Sequence, residues 1–260
     1  MRFSSPLIPA RFLRRRQRFL AEVELPGGRR EWVHVPNSGA LTGCAPPGGE
    51  ILLTREDKPG RKTAHTWRFT RGPEGWICID TLAPNRLVAE ALAGPGRPGF
   101  PLLSSVWERE AGGGGQKSGS PRPPLKVRPE VTLPWGGRLD FVLDKGGRLA
   151  FLEVKSVTWV EEGAALFPDG VTTRGRRHLE HLTALARQGH QAWQVFVVQR
   201  EDAQIFRPAA EVDPAYARQL AASAQEGVRI LVLQEKIAPP EITLATTLPF
   251  ELTLPSESLV

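Results

Sequence analysis

The chain has 260 residues, 40% hydrophobic and 24% charged, which suits a soluble globular protein of one large domain or two small ones. Its formal charge is +6, and only 7 of its 34 basic residues are Lys, so arginine, the bidentate phosphate binder, dominates and polyanions are the favoured partners. No apolar run approaches the length of a membrane span, and Arg14-Arg15-Arg16 arrives before any signal-peptide core, so a cytoplasmic protein without membrane contact is expected.

Residues 12–82 read as all-β. Phe19–Leu25, Glu31–Val35, Glu50–Thr54, Thr66–Thr70 and Trp76–Asp80 alternate or run apolar between Gly/Pro/Asn turn signals, which predicts a small five-stranded barrel of the oligonucleotide-binding (OB) size. A basic run of Arg11, Arg14, Arg15, Arg16 and Arg18 leads into its first strand, and Arg61-Lys62-Thr63 is a shorter one. Both could grip phosphates, and both could equally be solvated charge. Trp32, Trp67 and Trp76 read mainly as barrel core. Cys44 and Cys78, the only cysteines, read as free thiols and are too few for a zinc site.

After the barrel the periodicity turns helical over Asn85–Ala93, with Pro84 at the start and Gly94-Pro95-Gly96 as a stop. Residues 111–124, rich in Gly, Pro and Ser, read as a flexible loop. A strand over Glu130–Leu133 and then a hairpin follow. The hairpin is built on Gly146-Gly147, and counting outward from that turn pairs Lys145 with Arg148, Val142 with Phe151 and Asp140 with Glu153. One face is then Leu139, Phe141, Leu143, Ala150, Leu152 and Val154. The other brings together Asp140, Glu153 and Lys155.

Carboxylates directly opposite on paired strands repel, and a cation between them would explain their presence. Hard divalent ions such as magnesium or manganese take oxygen ligands, often one or two carboxylates plus substrate phosphate. A lysine two residues on would point to the same place, orienting water or stabilising charge, which is a phosphodiester-cleaving constellation. Glu130 is the nearest candidate for a third carboxylate.

Phe167-Pro168-Asp169-Gly170 marks a turn, after which residues 175–188 form an amphipathic helix with Leu179, Leu182, Leu185 and Ala186 as its stripe. Arg174, Arg176 and Arg177 crowd its start, where Thr172, Thr173 and the helix N-terminus could meet a phosphate. His178 and His181 share a face, read here as polar surface rather than a metal pair. Ala192–Val198 reads as a buried strand. Asp213 caps a second helix with Pro214 at its first position, running to Gly227, and Val228–Leu233 is a further strand before a surface or edge tail beyond Pro239. The order predicts an α+β protein: a small barrel over 1–82, then a mixed α/β domain over 83–260.

Many short motifs, in order over roughly residues 7–235, make the chain resemble the sugar fermentation stimulation protein family. They include Arg18-Phe19-Leu20-Ala21, Val35-Pro36-Asn37-Ser38-Gly39, Leu41-Thr42-Gly43-Cys44, Thr66-Trp67, Pro84-Asn85-Arg86-Leu87-Val88, Arg138-Leu139-Asp140-Phe141, Leu152-Glu153-Val154-Lys155, Phe167-Pro168-Asp169, Arg174-Gly175 with His178-Leu179, and Val212-Asp213-Pro214. The resemblance implies an OB-like barrel followed by a restriction-endonuclease-like domain of the PD-(D/E)xK type, with Asp140, Glu153 and Lys155 matching the nuclease motif. It also implies DNA binding linked to regulation of sugar-utilisation genes. The chain departs from the family pattern in the insertion at 111–124 and in Arg176 where the family tends to have Gln, with Arg177 in a Lys position.

Two functions are therefore expected to compete. One is a magnesium- or manganese-dependent nuclease: Asp140, Glu153 and, in reserve, Glu130 hold metal, Lys155 serves the chemistry, and Arg14, Arg15, Arg16, Arg18, Arg61, Lys62, Arg174 and Arg177 bind DNA largely independently of sequence. The other is a non-catalytic DNA-binding regulator on the same scaffold. A sugar-binding module has no support in the residues.

Overall fold

The structure, a computed structural model, describes residues 1–56, 60–93 and 125–252; the loop expected at 111–124 lies outside the described residues. The first sheet contains β1 (Leu7–Arg16), β2 (Leu20–Glu24), β3 (Arg30–His34), β4 (Glu50–Arg55), β5 (His65–Arg71) and β6 (Trp76–Cys78), in the order β3-β2-β1-β4-β5-β6. A parallel pairing of β3 with β5 at His34 and Thr66 closes it into a barrel. Ala10, Phe12, Val23, Val33, Ile51, Leu53 and Trp67 fill the interior.

The barrel has one strand more than expected. The arginine run does not precede the first strand; it is the first strand. Ala10 and Phe12 are buried while Arg11, Arg14 and Arg16 are exposed, so the run alternates across the sheet, and a register shift between Phe12 and Arg14 interrupts that alternation.

α1 (Ala83–Leu92) carries the chain out of the barrel with Pro at its first turn and no side-chain cap. The second sheet holds β7 (Lys126–Thr132), β8 (Arg138–Lys145), β9 (Arg148–Val157), β12 (Gln191–Val198), β14 (Arg229–Ala238) and β15 (Glu241–Thr247), in the order β15-β14-β12-β9-β8-β7. β9, β12 and β14 run parallel, and the flanking strands are antiparallel. Parallel neighbours need crossovers. α2 (Thr173–Arg187) supplies the one from β9 to β12, and α3 (Pro214–Gln225) the one from β12 to β14. Both caps are side chains: Thr172 accepts from Gly175 N–H, and Asp213 accepts from Tyr216 N–H. A small sheet unforeseen in the sequence, β10 (Trp159–Glu161), β11 (Ala164–Phe167) and β13 (Ile205–Pro208), lies in the order β10-β11-β13. The tail beyond Pro239 forms the edge strand β15.

The apolar runs of the parallel strands are buried on both faces, as such sheets require. Leu179, Leu182, Leu185, Tyr216 and Leu220 of the two helices cover one face. On the other face, Leu87 and Val88 of α1 pack with Phe141, Leu152 and Val195, and Phe3, Phe69 and Cys78 join the same cluster. The barrel and the second domain thus share a core. The first residues reinforce it: the Met1 amine donates to Ile242 O at 2.8 Å, and Phe3 N–H to Pro240 O at 3.0 Å.

Candidate active site

The hairpin forms in the expected register from Lys145↔Arg148 through Asp144↔Leu149 and Val142↔Phe151 to Phe141↔Leu152. There the ladder stops, and Asp140 does not pair with Glu153 as the count predicts. Instead Asp140 Oδ2 accepts the Val154 N–H at 2.8 Å, so a carboxylate takes a donor released where β8 leaves β9. The expected apolar face changes at the same place. Leu139 clusters with Val142 and Phe151 beneath α2, not with Phe141 and Leu143. Residues three apart share a side only if the strand departs from its two-residue period. Across from this point, within β7, Glu130 has a φ of 50°.

The three motif residues do come together. Glu153 is 2% exposed, and its Oε1 accepts from Lys155 Nζ at 2.6 Å and from His178 Nδ1. Its Oε2 is buried and has no hydrogen-bond partner among the described residues. Asp140 is held by Val154 N–H and by Asn85 Nδ2, which donates to Oδ1 at 2.8 Å from α1. Arg174 Nε donates to His178 Nε2 at 3.4 Å, which leaves Nδ1 as the nitrogen that carries the proton toward Glu153.

The electrostatics of the two carboxyls diverge. Burial pushes the Asp140 carboxyl up, and the Glu153 charge adds to this, against the Val154 and Lys155 contributions. Burial also acts to raise Glu153, but the His178 hydrogen bond and the Lys155 charge outweigh it and hold the group below the usual carboxylate range. The site therefore keeps one ionised, half-satisfied carboxylate beside a second that resists ionisation. A cation would relieve both conditions.

The residues fit a hard divalent ion on these grounds. A buried carboxylate oxygen without a partner is rare and costly. Among the described residues no group of three His, Cys, Asp or Glu could hold a metal, so water and substrate phosphate would have to complete the coordination, as they do for magnesium. Glu130 does not help: it is exposed and its carboxylate meets Arg138 at 3.4 Å.

A cleft of about 780 Å³ opens beside Lys155, between the barrel and the second domain. Arg18, Asn37, Thr158, Asp169 and Arg174 are among its walls. Arg15 also lines it but is committed elsewhere, donating to the carbonyls of Asn37 at 2.6 Å and Gly39 at 2.7 Å. A Cβ on Gly39 would meet the Asp169 carboxylate at 2.2 Å, so any larger residue would have to turn Asp169 aside where the two walls touch.

The other expected phosphate binders scatter. Arg14 pairs with Glu22 at 2.5 Å and lies over Trp32. Arg61 pairs with Glu56 at 3.5 Å and lines a separate cavity with Arg68 and Arg86. Arg16 and Lys62 are exposed and line neither cavity. Arg177 is exposed on α2, one turn from Arg174.

Sequence reasoning missed two site residues, Asn85 and His178. His178, expected on a polar face, is 6% exposed. The signal was present: it stands four residues before Leu182 and seven before Leu185, on the apolar stripe of its helix. A polar residue on such a stripe needs a buried partner.

Comparison with known proteins agrees along most of the chain. Residues 83–241 match the family described as "Sugar fermentation stimulation protein RE domain", and residues 13–79 match the "SfsA N-terminal OB domain". The sugar fermentation stimulation protein homolog of Geotalea uraniireducens is 41% identical over 244 residues, covering 94% of this chain and 96% of the relative. The homolog of Thioalkalivibrio sulfidiphilus is 39% identical over 255 residues, covering 97% and 99%. A solved structure of Pyrococcus furiosus SfsA in complex with Ca2+ matches with a TM-score of 0.80 at 26% identity, covering 96% of this chain and 98% of that one. With an OB domain followed by an α/β domain, and relatives that match it nearly end to end, this chain belongs to the sugar fermentation stimulation protein family.

Proposed function

We propose that the protein is a DNA-binding, divalent-metal-dependent phosphodiesterase whose reaction centre is Asp140, Glu153 and Lys155. The observation that carries this reading is the buried, unpartnered Oε2 of Glu153, set in a cluster with a second carboxylate and a lysine at the edge of an open cleft. The presence of Ca2+, a hard oxygen-seeking ion, in the structure of the Pyrococcus furiosus relative supports it. Asp140 and Glu153 would hold magnesium or manganese. The bound metal would stabilise charge on the scissile phosphate and favour deprotonation of an attacking water.

The chain's own residues do the rest. His178 donates to Glu153 Oε1 and so keeps Oε2 free for a cation. Asn85 and the Val154 N–H fix the Asp140 carboxylate where β8 parts from β9. The Lys155 ammonium, already beside Glu153, places a positive charge where a phosphate oxygen would enter from the cleft.

The test is incubation of the intact protein with linear, supercoiled and single-stranded DNA in magnesium or manganese, with chelator controls. Cleavage that chelator stops, and that Asp140→Asn and Glu153→Gln lose while remaining folded by circular dichroism, is the expected result. DNA that is bound but never cut would leave the protein a non-catalytic binder of DNA.

A further inference from the structure

The outer side of the α2–α3 pair carries a groove of about 490 Å³, lined by Thr173, Arg176, Arg177, Glu180, Arg218 and Gln219 among others. The two helices begin side by side, because the Thr172 N–H donates to Asp213 Oδ2 at 2.8 Å. Neither helix has an acidic residue in its first turn. Among the described residues Glu180 is the only carboxylate in the lining, beside three guanidinium groups. Among the described residues Arg176 makes one long hydrogen bond, to Thr173 Oγ1 at 3.5 Å, and no carboxylate lies within ion-pair distance of Arg176, Arg177 or Arg218.

Most of the barrel's arginines are in the opposite condition; among the described residues Arg16 and Arg18 are exceptions, with no carboxylate in ion-pair reach. Arg14 meets Glu22, Arg29 meets Glu31, Arg30 meets Glu24 and Arg61 meets Glu56. Arg15 is spent on backbone carbonyls. A cation already paired offers less to a phosphate, since the existing partner must be given up first.

The groove also adjoins the cleft. Thr172 and Arg174 line the cleft that holds Lys155, and Thr173, Arg176 and Arg177 line the groove. Arg174 and Arg177, three apart on a helix, are surface neighbours. A row of cations therefore runs from Lys155 through Arg174 and Arg177 to Arg218 across the start of α2.

We propose that the α2–α3 groove is a second phosphate-binding surface, one that takes the backbone of a polynucleotide where it leaves the Lys155 cleft. This rests on the reading of that cleft as a phosphodiesterase site. It assigns the grip on nucleic acid to α2 and α3 rather than to the arginines of β1.

The experiment is an anisotropy titration of a labelled DNA duplex long enough to extend well past the cleft, in chelator so that nothing is cut, repeated over a series of salt concentrations. Each phosphate contact removed lowers the slope of log affinity against log salt by about 0.9. The triple variant R176A/R177A/R218A should lose about 2 to 3 from that slope and bind at least roughly tenfold more weakly at low salt. R14A/R16A should lose less. The lysine version, R176K/R177K/R218K, keeps the charge and should keep most of the slope, and melting temperatures confirm that each variant is folded. An unchanged slope in the triple alanine variant overturns the proposal, as does a larger loss in R14A/R16A or an intact protein that binds no DNA. Failure to cleave DNA in magnesium is a separate result: it sinks the phosphodiesterase reading, while the titration in chelator still decides the groove.

Discussion

The arginines of the barrel and those of α2 and α3 are one residue type in two electrostatic situations. On β1 and its neighbours several outward guanidinium groups face acids on the adjoining strand: Arg14 stands across from Glu22 and Arg30 from Glu24, though Arg16 stands across from Leu20. Cross-strand pairs of this kind are exposed on the arginine side and worth at most about 1 kcal/mol, so they cancel charge more than they stabilise. On the second domain, Arg174, Arg176, Arg177 and Arg218 gather at the start of two helices without such acids. The difference shows why a count of basic residues along a sequence is a poor map of a binding face. The neighbours across the sheet or groove decide which charges remain available.

The sharpest way to break this contrast is at Lys155. Lys155→Ala is expected to lower metal-dependent cleavage of DNA by on the order of a hundredfold or more, as when a group stabilising transition-state charge is lost. Its affinity for DNA should change far less, because one lysine is a small part of the cationic row. Full activity in the variant would show that the chemistry lies elsewhere.

The next effect lies where the two domains meet. Glu235 is 1% exposed, both of its carboxylate oxygens lack a hydrogen-bond partner among the described residues, and burial, reinforced by Asp80, holds its carboxyl well above the usual range despite the nearby N-terminal amine. A carboxyl whose folded pKa is raised prefers to stay protonated when folded. It costs nothing below the unfolded pKa of about 4.3, and the cost grows as pH rises from there toward the folded value. Glu235→Gln should therefore raise the melting temperature at pH 8, by about 2–4 °C for each kcal/mol recovered in a chain of this size. The gain should vanish near pH 4. An equal gain at both pH values would show that packing, not the proton, is responsible.

The smallest effect is expected in the barrel. Arg14→Ala removes an exposed pair with Glu22 and should shift stability by less than about 1 kcal/mol. It should also leave the salt dependence of DNA binding closer to that of the intact protein than any single change among Arg176, Arg177 and Arg218. A large loss of affinity in Arg14→Ala would restore β1 as the binding face.

What was legible in the sequence was whatever depends on neighbours in the chain. The Gly146-Gly147 turn set the hairpin register through five residues on either side, and Asp213-Pro214 announced α3, whose cap is indeed the Asp213 side chain. What escaped depends on partners far away. β10, β11 and β13 are three or four residues long, too short to carry a period, and β13 joins its partner from some forty residues off. β1 was hidden by its arginines, which mask the inward Ala10 and Phe12. At the site, Asp140, Glu153 and Lys155 could be found by counting from one turn, but the peeling of β8 from β9 could not. Nor could the supporting pair: Asn85 and His178 lie 55 and 25 residues from the carboxylates they hold.

The shared core beneath the barrel bears on how such a protein could have been assembled. Phe3 rests edge-on against Phe69, and both belong to the same apolar cluster as Phe141, Leu152 and Val195. An excised barrel would present Phe69 and Cys78 to water, and an excised second domain would present the sheet face they cover. Neither half is a detachable cassette. Heating should melt them in one step, and a lineage that exchanged its barrel for another would have to carry over the residues of the seam as well as those of the cleft.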